Sequence, residues 1–246
     1  MNDVMAEAVS ERDPVTAKPV LGGSGLIKRV ISAAVLLPLA VAAAWFGDVA
    51  FILLVALAGI LMLWEWRRLP GLSADKGWSS NPLLWSLVGL LYIGLPCLAL
   101  IWLREQPGHG RHIVFWLFCV VWATDTGAYF AGRSIGGPKL IPSISPNKTW
   151  AGLLGGMVCA ALVGSLVAAI NLVLPAFALA GFAGLVAVVS QAGDFTESGI
   201  KRSFGVKDAS QIIPGHGGVL DRLDGLLFAA PFVAACDLLW GYAIWS

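Results

Sequence analysis

Over 246 residues the chain is 58% hydrophobic and 13% charged, with a formal net charge of +1 and a mean hydropathy of +0.80. This composition excludes a water-soluble domain, and the near-zero net charge leaves no basic face for nucleic acid, so membrane lipids and not nucleic acid are the expected surroundings. The expected fold class is all-α: a polytopic membrane helical bundle.

Residues 1–25, with Asp3, Glu7, Glu11, Arg12, Asp13, Pro14, Lys18 and Pro19, carry too little apolar periodicity to fold alone and read as a flexible cytoplasmic tail, ordered chain starting near Leu26. Lys28 and Arg29 before "VISAAVLLPLAVAAAWF" have the makings of a signal peptide. A second apolar run follows after only Gly47 and Asp48, however, and this pattern favours a tight helical hairpin. Set against the roughly 20 residues needed to span a bilayer, the apolar runs predict seven transmembrane helices, near 30–46, 49–64, 83–103, 113–130, 150–174, 177–195 and 219–245. The first two are slightly short. Trp45, Trp64, Trp66, Trp102, Trp150 and Trp245 fall near the predicted ends, where amphipathic rings settle at the interface. Cys97, Cys119, Cys159 and Cys236 lie in apolar surroundings without CxxC spacing and read as small buried hydrophobes. His109 and His112 fall in an outer loop and Asp237 reaches the outer interface; none of the three needs a role.

With a cytoplasmic N-terminus, 13 of the 16 basic residues fall on the inside: Arg12, Lys18, Lys28, Arg29, Arg67, Arg68, Lys76, Arg133, Lys139, Lys148, Lys201, Arg202 and Lys207. Arg104 and Arg111 lie outside, and Arg222 sits at the inner mouth of the last segment. The positive-inside rule therefore sets this orientation, with the C-terminus outside after seven crossings.

That topology collects the polar stretches on one face: "WATDTGAYFAGR" and "SPNKTWAG" from 122 to 152, "GDFTESGIKR" from 193, and "KDASQIIPGHGGVLDRLDG" from 207. If the sixth helix runs on through the second of these regions, Asp194, Glu197, Ser198 and Lys201 share one face at i, i+3, i+4 and i+7. Asp221 and Asp224 share a face of the seventh helix. An Asp or Arg at the centre of a spanning helix costs roughly 2.5–3.5 kcal/mol on insertion scales, so these groups need partners. Two readings compete: Asp194, Glu197, Asp221 and Asp224 form an oxygen cage for Mg²⁺, completed by substrate phosphates, or the carboxylates pair with Lys201, Arg202 and Arg222 in an interfacial belt.

Gly215, Gly217 and Gly218 around His216, beside Lys201, Arg202 and Lys207, suit close approach of a polyphosphate, although an ordinary Gly-rich turn has the same composition. No GxxxxGK[ST] loop occurs. Asp125 lies about 8 Å inside the fourth segment at 1.5 Å per residue, as a functional carboxylate or as a partner of Arg133.

Ser198, Lys201, Arg202, Lys207, Asp208, Pro214, His216, Gly217, Gly218, Asp221, Arg222 and Asp224 recur at the spacing of "SGIKRSFGVKDASQIIPGHGGVLDRLD", and with "ATDTGAYFAGR" and "ISPNKTWAG" the sequence resembles the phosphatidate cytidylyltransferases (CDP-diacylglycerol synthases). The resemblance covers roughly residues 113–246. It implies a catalytic transmembrane domain there, preceded by N-terminal transmembrane helices over 26–112. The implied reaction joins CTP and phosphatidic acid to give CDP-diacylglycerol and pyrophosphate, with Mg²⁺, at the cytoplasmic face of a bacterial-type inner membrane; a second cation such as K⁺ and a homodimer are compatible with it. Asp194, Asp221 and Asp224, with Glu197, are then the expected metal ligands. Lys201 and Arg202 join the three aspartates as catalytic residues and, with Lys207 and Arg222, form a positive clamp; Lys148, Ser145 and Thr149 hold a phosphate. Asp125, Ser198, Asp208, His216, Gly217 and Gly218 fall in the site as substrate-binding positions. A CTP-dependent polyprenol or lipid-alcohol kinase is the alternative enzyme and would need a base, for which Asp208 or His216 could serve. A cation-coupled transporter fits poorly, because the carboxylates gather at one face. The DGxxAR pattern of CDP-alcohol phosphotransferases is missing.

Overall fold

The computed structural model describes residues 23–72, 81–171 and 176–240, so the expectations for the first 22 residues, Lys76 and Trp245 lie outside the described residues. Seven α-helices follow in order: α1 Gly23–Phe46, α2 Asp48–Arg68, α3 Pro82–Arg104, α4 Gly110–Ser134, α5 Trp150–Asn171, α6 Ala176–Ser203 and α7 Leu220–Trp240. The described residues contain no β-strand. Six helices, α2 to α7, are long and apolar enough to cross a membrane, whereas the apolar part of α1, Val30–Phe46, is shorter. Only helices and closed barrels satisfy their backbone groups in lipid, and this chain takes the helical solution, making it an integral membrane protein.

Helix ends are where the expected boundaries move most. Expected to stop at 195, α6 runs on to Ser203, because its charged side chains pair with one another and with neighbouring helices. Asn81 caps α3, its Oδ1 accepting from the N–H groups of Leu83 and Leu84 at 3.0 and 3.2 Å, with Pro82 in the first turn.

Alternation of direction is fixed by contacts at the two ends. At one end, Arg104 Nε donates to the Ala44 carbonyl at 2.7 Å and its Nη2 to that of Trp45 at 3.1 Å. Arg111 stacks on the Trp45 ring at 4.5 Å, so the two arginines assigned to outer loops close this end. His109 and His112 lie there too, at the start of α4. At the opposite end the finish of α2 meets the start of α3 through Trp66 and Trp85, whose indole N–H groups each donate to the other's carbonyl at 2.9 Å while their rings stack 4.2 Å apart. Trp66 was expected at the interface; it is instead 1% exposed, because this reciprocal pair and Tyr92 enclose it. Asp237, three residues before the end of α7, is 8% exposed.

The main core joins Trp116, Leu117, Val120 and Val121 of α4 to Ala183, Val186 and Ala187 of α6 and Ala229, Ala230 and Val233 of α7. Helices α4 and α5 approach most closely. A Cβ on Gly155 would meet the Ala131 methyl at 2.2 Å, and one on Gly127 would meet Cys159 Sγ at 2.6 Å. Without a hydrophobic drive between helices in lipid, such small-residue contacts supply the packing. They bring the end of α4 and the start of α5 to one rim. The four cysteines are free, as expected.

Candidate functional site

At that rim lies a cavity of about 780 Å³, within the range of small-molecule sites. Its acidic lining is Asp125, Asp194, Asp221 and Asp224, and its basic lining is Arg133, Lys148 and Arg222. Four helices contribute: the end of α4, the start of α5, the end of α6 and the start of α7 converge here because each polar stretch occupies the same end of its helix. The N-termini of α5 and α7, represented by Thr149 and Gly152 and by Asp221 and Arg222, open onto the cavity, where the helix dipoles favour negative charge.

Asp194 is ion-paired with Lys148, and Ser198 Oγ donates to Asp194 Oδ1 at 3.3 Å. Lys148 Nζ also lies 4.4 Å from the centre of the Phe195 ring. Lys148 is placed by a folded connection between α4 and α5, in which the Leu140 N–H donates to the Lys148 carbonyl at 3.1 Å and the Trp150 N–H to that of Pro138 at 3.1 Å. Thr149 starts α5 as its cap, accepting the Gly152 N–H at 3.0 Å. Ser145 belongs to the same connection but does not line the cavity.

Asp221 is differently employed. Lys201 Nζ, 8% exposed, lies 2.6 Å from both Asp221 Oδ1 and Glu197 Oε2. The N–H groups of Ala209 and Gly218 donate to Asp221 Oδ2 at 3.1 and 2.8 Å. Asp221 therefore follows the belt reading, and the cost of its burial is offset by Lys201 and two backbone donors. Glu197, 1% exposed, is turned toward Lys201 and away from the cavity lining. The four carboxylates do not form one cage: among the described residues no three His, Cys, Asp or Glu side chains cluster as a ready-made metal site. Asp194, Asp224 and Asp125 remain as hard oxygen donors on the cavity wall.

Of the remaining positions, Arg202 is exposed and donates to the Val206 carbonyl at 3.3 Å; Lys207 and Asp208 are exposed beyond α6. His216 Nδ1 lies 2.7 Å from Ser32 Oγ, which ties α1 to the Gly-rich loop. In that loop Gly217 has φ +92°, a conformation that a side chain would strain. Arg133 does not pair with Asp125 along α4; its Nη1 donates to Tyr129 Oη at 3.2 Å.

Two residues were missed. Glu65 of α2 is 0% exposed and accepts from Ser210 Oγ at 2.5 Å and from the N–H groups of Val219 and Leu220 at 2.9 and 2.7 Å. It therefore caps α7 from another helix, and a Cβ on Gly218 would lie 2.6 Å from its Oε1. Gln191, one turn before Asp194, lines the cavity. Gln191 is a polar residue inside an apolar run, the signal by which it could have been found.

Fold and site together define a polytopic helical membrane protein with an ionic cavity at one end of its bundle. The sequence matches the cytidylyltransferase family over residues 74–239, and the chain belongs to that family. It is 38% identical to the phosphatidate cytidylyltransferase of Brucella suis over 247 residues, covering 84% of this chain and 91% of that protein. The phosphatidate cytidylyltransferase of Rickettsia bellii is 35% identical over 222 residues, 85% of this chain and 90% of its own. That of Haemophilus influenzae is 42% identical over 167 residues, 64% of this chain and 58% of its own.

Proposed function

We propose that the chain transfers the cytidylyl group of CTP to phosphatidic acid, forming CDP-diacylglycerol and pyrophosphate. The observation that carries this reading is the cavity at one end of membrane-spanning helices, where Arg133, Lys148 and Arg222 face Asp125, Asp194 and Asp224 in a chain related to phosphatidate cytidylyltransferases. Both substrates are anionic, and the three basic side chains lower the repulsion between them. A lipid phosphate oxygen forms the new bond to the α-phosphorus of CTP while the bond from that phosphorus to the β-phosphate bridge oxygen breaks. Because the phosphate nucleophile is already ionised, no side chain need remove a proton.

Mg²⁺ keeps several waters and takes one or two carboxylates plus substrate phosphates, so Asp194 and Asp224, with Asp125 beside them, suit it without a preassembled cage. When bound, the ion would neutralise phosphate charge and favour departure of pyrophosphate. Lys201 holds Asp221 at the start of α7, and so sets the direction in which Arg222 and Asp224 leave the helix.

Following phosphorus tests the reaction. Purified protein with phosphatidic acid and Mg²⁺ should carry label from α-labelled CTP into the chloroform-soluble product, and none from γ-labelled CTP. Lipid label from the γ position would establish a kinase instead.

The same reading places the cavity on the cytoplasmic face of a bacterial-type inner membrane, supported by the 13 basic residues assigned to that side. A single cysteine at exposed Ser143, in a background without the four native cysteines, should react with an impermeant thiol reagent only from the cytoplasmic side. Labelling from outside in intact cells would reverse the orientation.

A further inference from the structure

Gln191 is 5% exposed, lines the cavity, and its Nε2 has no hydrogen-bond partner among the described residues. A buried amide donor left unmade is costly, and native structures rarely keep one without a use for it. Three helices agree on its depth. On α6 it precedes Asp194 by three residues, about 4.5 Å further from the site end of that helix. On α5 a Cβ at Gly156 would come within 2.9 Å of Nε2 and 2.9 Å of the Thr124 carbonyl, and both residues lie deeper than their cavity-lining neighbours Gly152 and Asp125. The amide thus lies about one turn deeper than Asp194 along α6 and level with Asp125 on α4, on the bilayer side of the cavity.

We infer that Gln191 is a substrate-binding residue whose Nε2 donates to an oxygen of the phosphatidic acid headgroup. This rests on the cytidylyl-transfer reading. The triphosphate carries most charge and is served by Arg133, Lys148 and Arg222 at the polar rim, whereas a lipid whose chains stay in the bilayer presents its phosphate and ester oxygens from below. A neutral donor suits that position, because it needs no counter-ion at membrane depth.

The test is Gln191→Leu, which keeps bulk and removes the donor, assayed in detergent with dioctanoyl phosphatidic acid and CTP varied separately. The KM for the lipid should rise about tenfold, as for loss of one hydrogen bond to a charged group, while the KM for CTP and kcat stay within about threefold. The melting temperature of the ligand-free protein should be unchanged or higher, because an unpaired amide has been removed, and its increase on adding dioctanoyl phosphatidic acid without CTP should be lost. A merely structural glutamine predicts the reverse: a lower ligand-free melting temperature and an unchanged lipid KM. An unchanged lipid KM, or a rise confined to CTP, overturns the inference. Wild-type protein that transfers no cytidylyl group would instead strike the functional reading on which it rests.

Discussion

Asp224→Asn and Asp194→Asn should each lower turnover by at least about tenfold, or about 1.4 kcal/mol in barrier, with the folded protein recovered in normal yield. Both carboxylates line the cavity, and asparagine preserves their size while removing the charge that a divalent cation and its bound phosphates require. Asp221→Asn is the informative contrast. Its carboxylate already takes Lys201 and the N–H groups of Ala209 and Gly218, so an amide nitrogen there would face donors on several sides. Lys201 would keep only Glu197. That variant should lose melting temperature as well as turnover, whereas the other two lose turnover alone. Initial rates across a Mg²⁺ titration, with thermal melting in the same detergent, measure both. Near-normal turnover of Asp224→Asn at every Mg²⁺ concentration would remove the proposed role of the cavity carboxylates.

Glu65→Ala should destabilise the protein by on the order of 2–3 kcal/mol and depress activity with it, although Glu65 is not in the cavity lining. Its carboxyl group takes two N–H groups at the start of α7 and the Ser210 hydroxyl, all of which would be left without their acceptor in a buried or half-buried place. The first turns of α7 carry Asp221, Arg222 and Asp224, so loosening that end loosens three cavity residues together. Glu65→Gln keeps one acceptor oxygen and should fall between wild type and alanine. Gly218→Ala should weaken the protein in the same direction, because its methyl group would lie 2.6 Å from Glu65 Oε1. Unaltered melting temperature and kcat/KM in Glu65→Ala would show that the cap contributes nothing.

The helical membrane architecture was legible because it is a one-dimensional property: apolar length decides whether a segment can span, and each of the seven expected runs holds a helix, six of them long and apolar enough to cross a membrane. The gathering of polar stretches at one end was equally legible, since in helices of alternating direction the parity of the crossing decides which end a motif occupies. The spacing of Asp194, Glu197, Ser198 and Lys201 likewise announced a common helical face, and Ser198 bonds Asp194 while Lys201 bonds Glu197.

Which carboxylate meets which cation was not legible, because pairing depends on how helices rotate and approach. Asp221, Asp194 and Asp224 look alike along the chain; packing of α6 on α7 adds Asp221 to the Lys201 that already meets Glu197 along α6, and the folded α4–α5 connection gives Asp194 to Lys148. Glu65 lay one residue past the expected end of its apolar run and 155 positions from Leu220, so nothing local connected it with α7. Gln191 stood out as one polar residue in an apolar run, but its facing the cavity depends on how α6 packs. By itself the sequence determined which runs form helices among the described residues, which end of each is polar and which family the motifs resemble, all properties of composition and period along one chain. Only the tertiary structure decided which polar groups cancel one another and which are left facing the cavity, because a buried charge or amide is satisfied by whatever the neighbouring helix brings within about 3 Å.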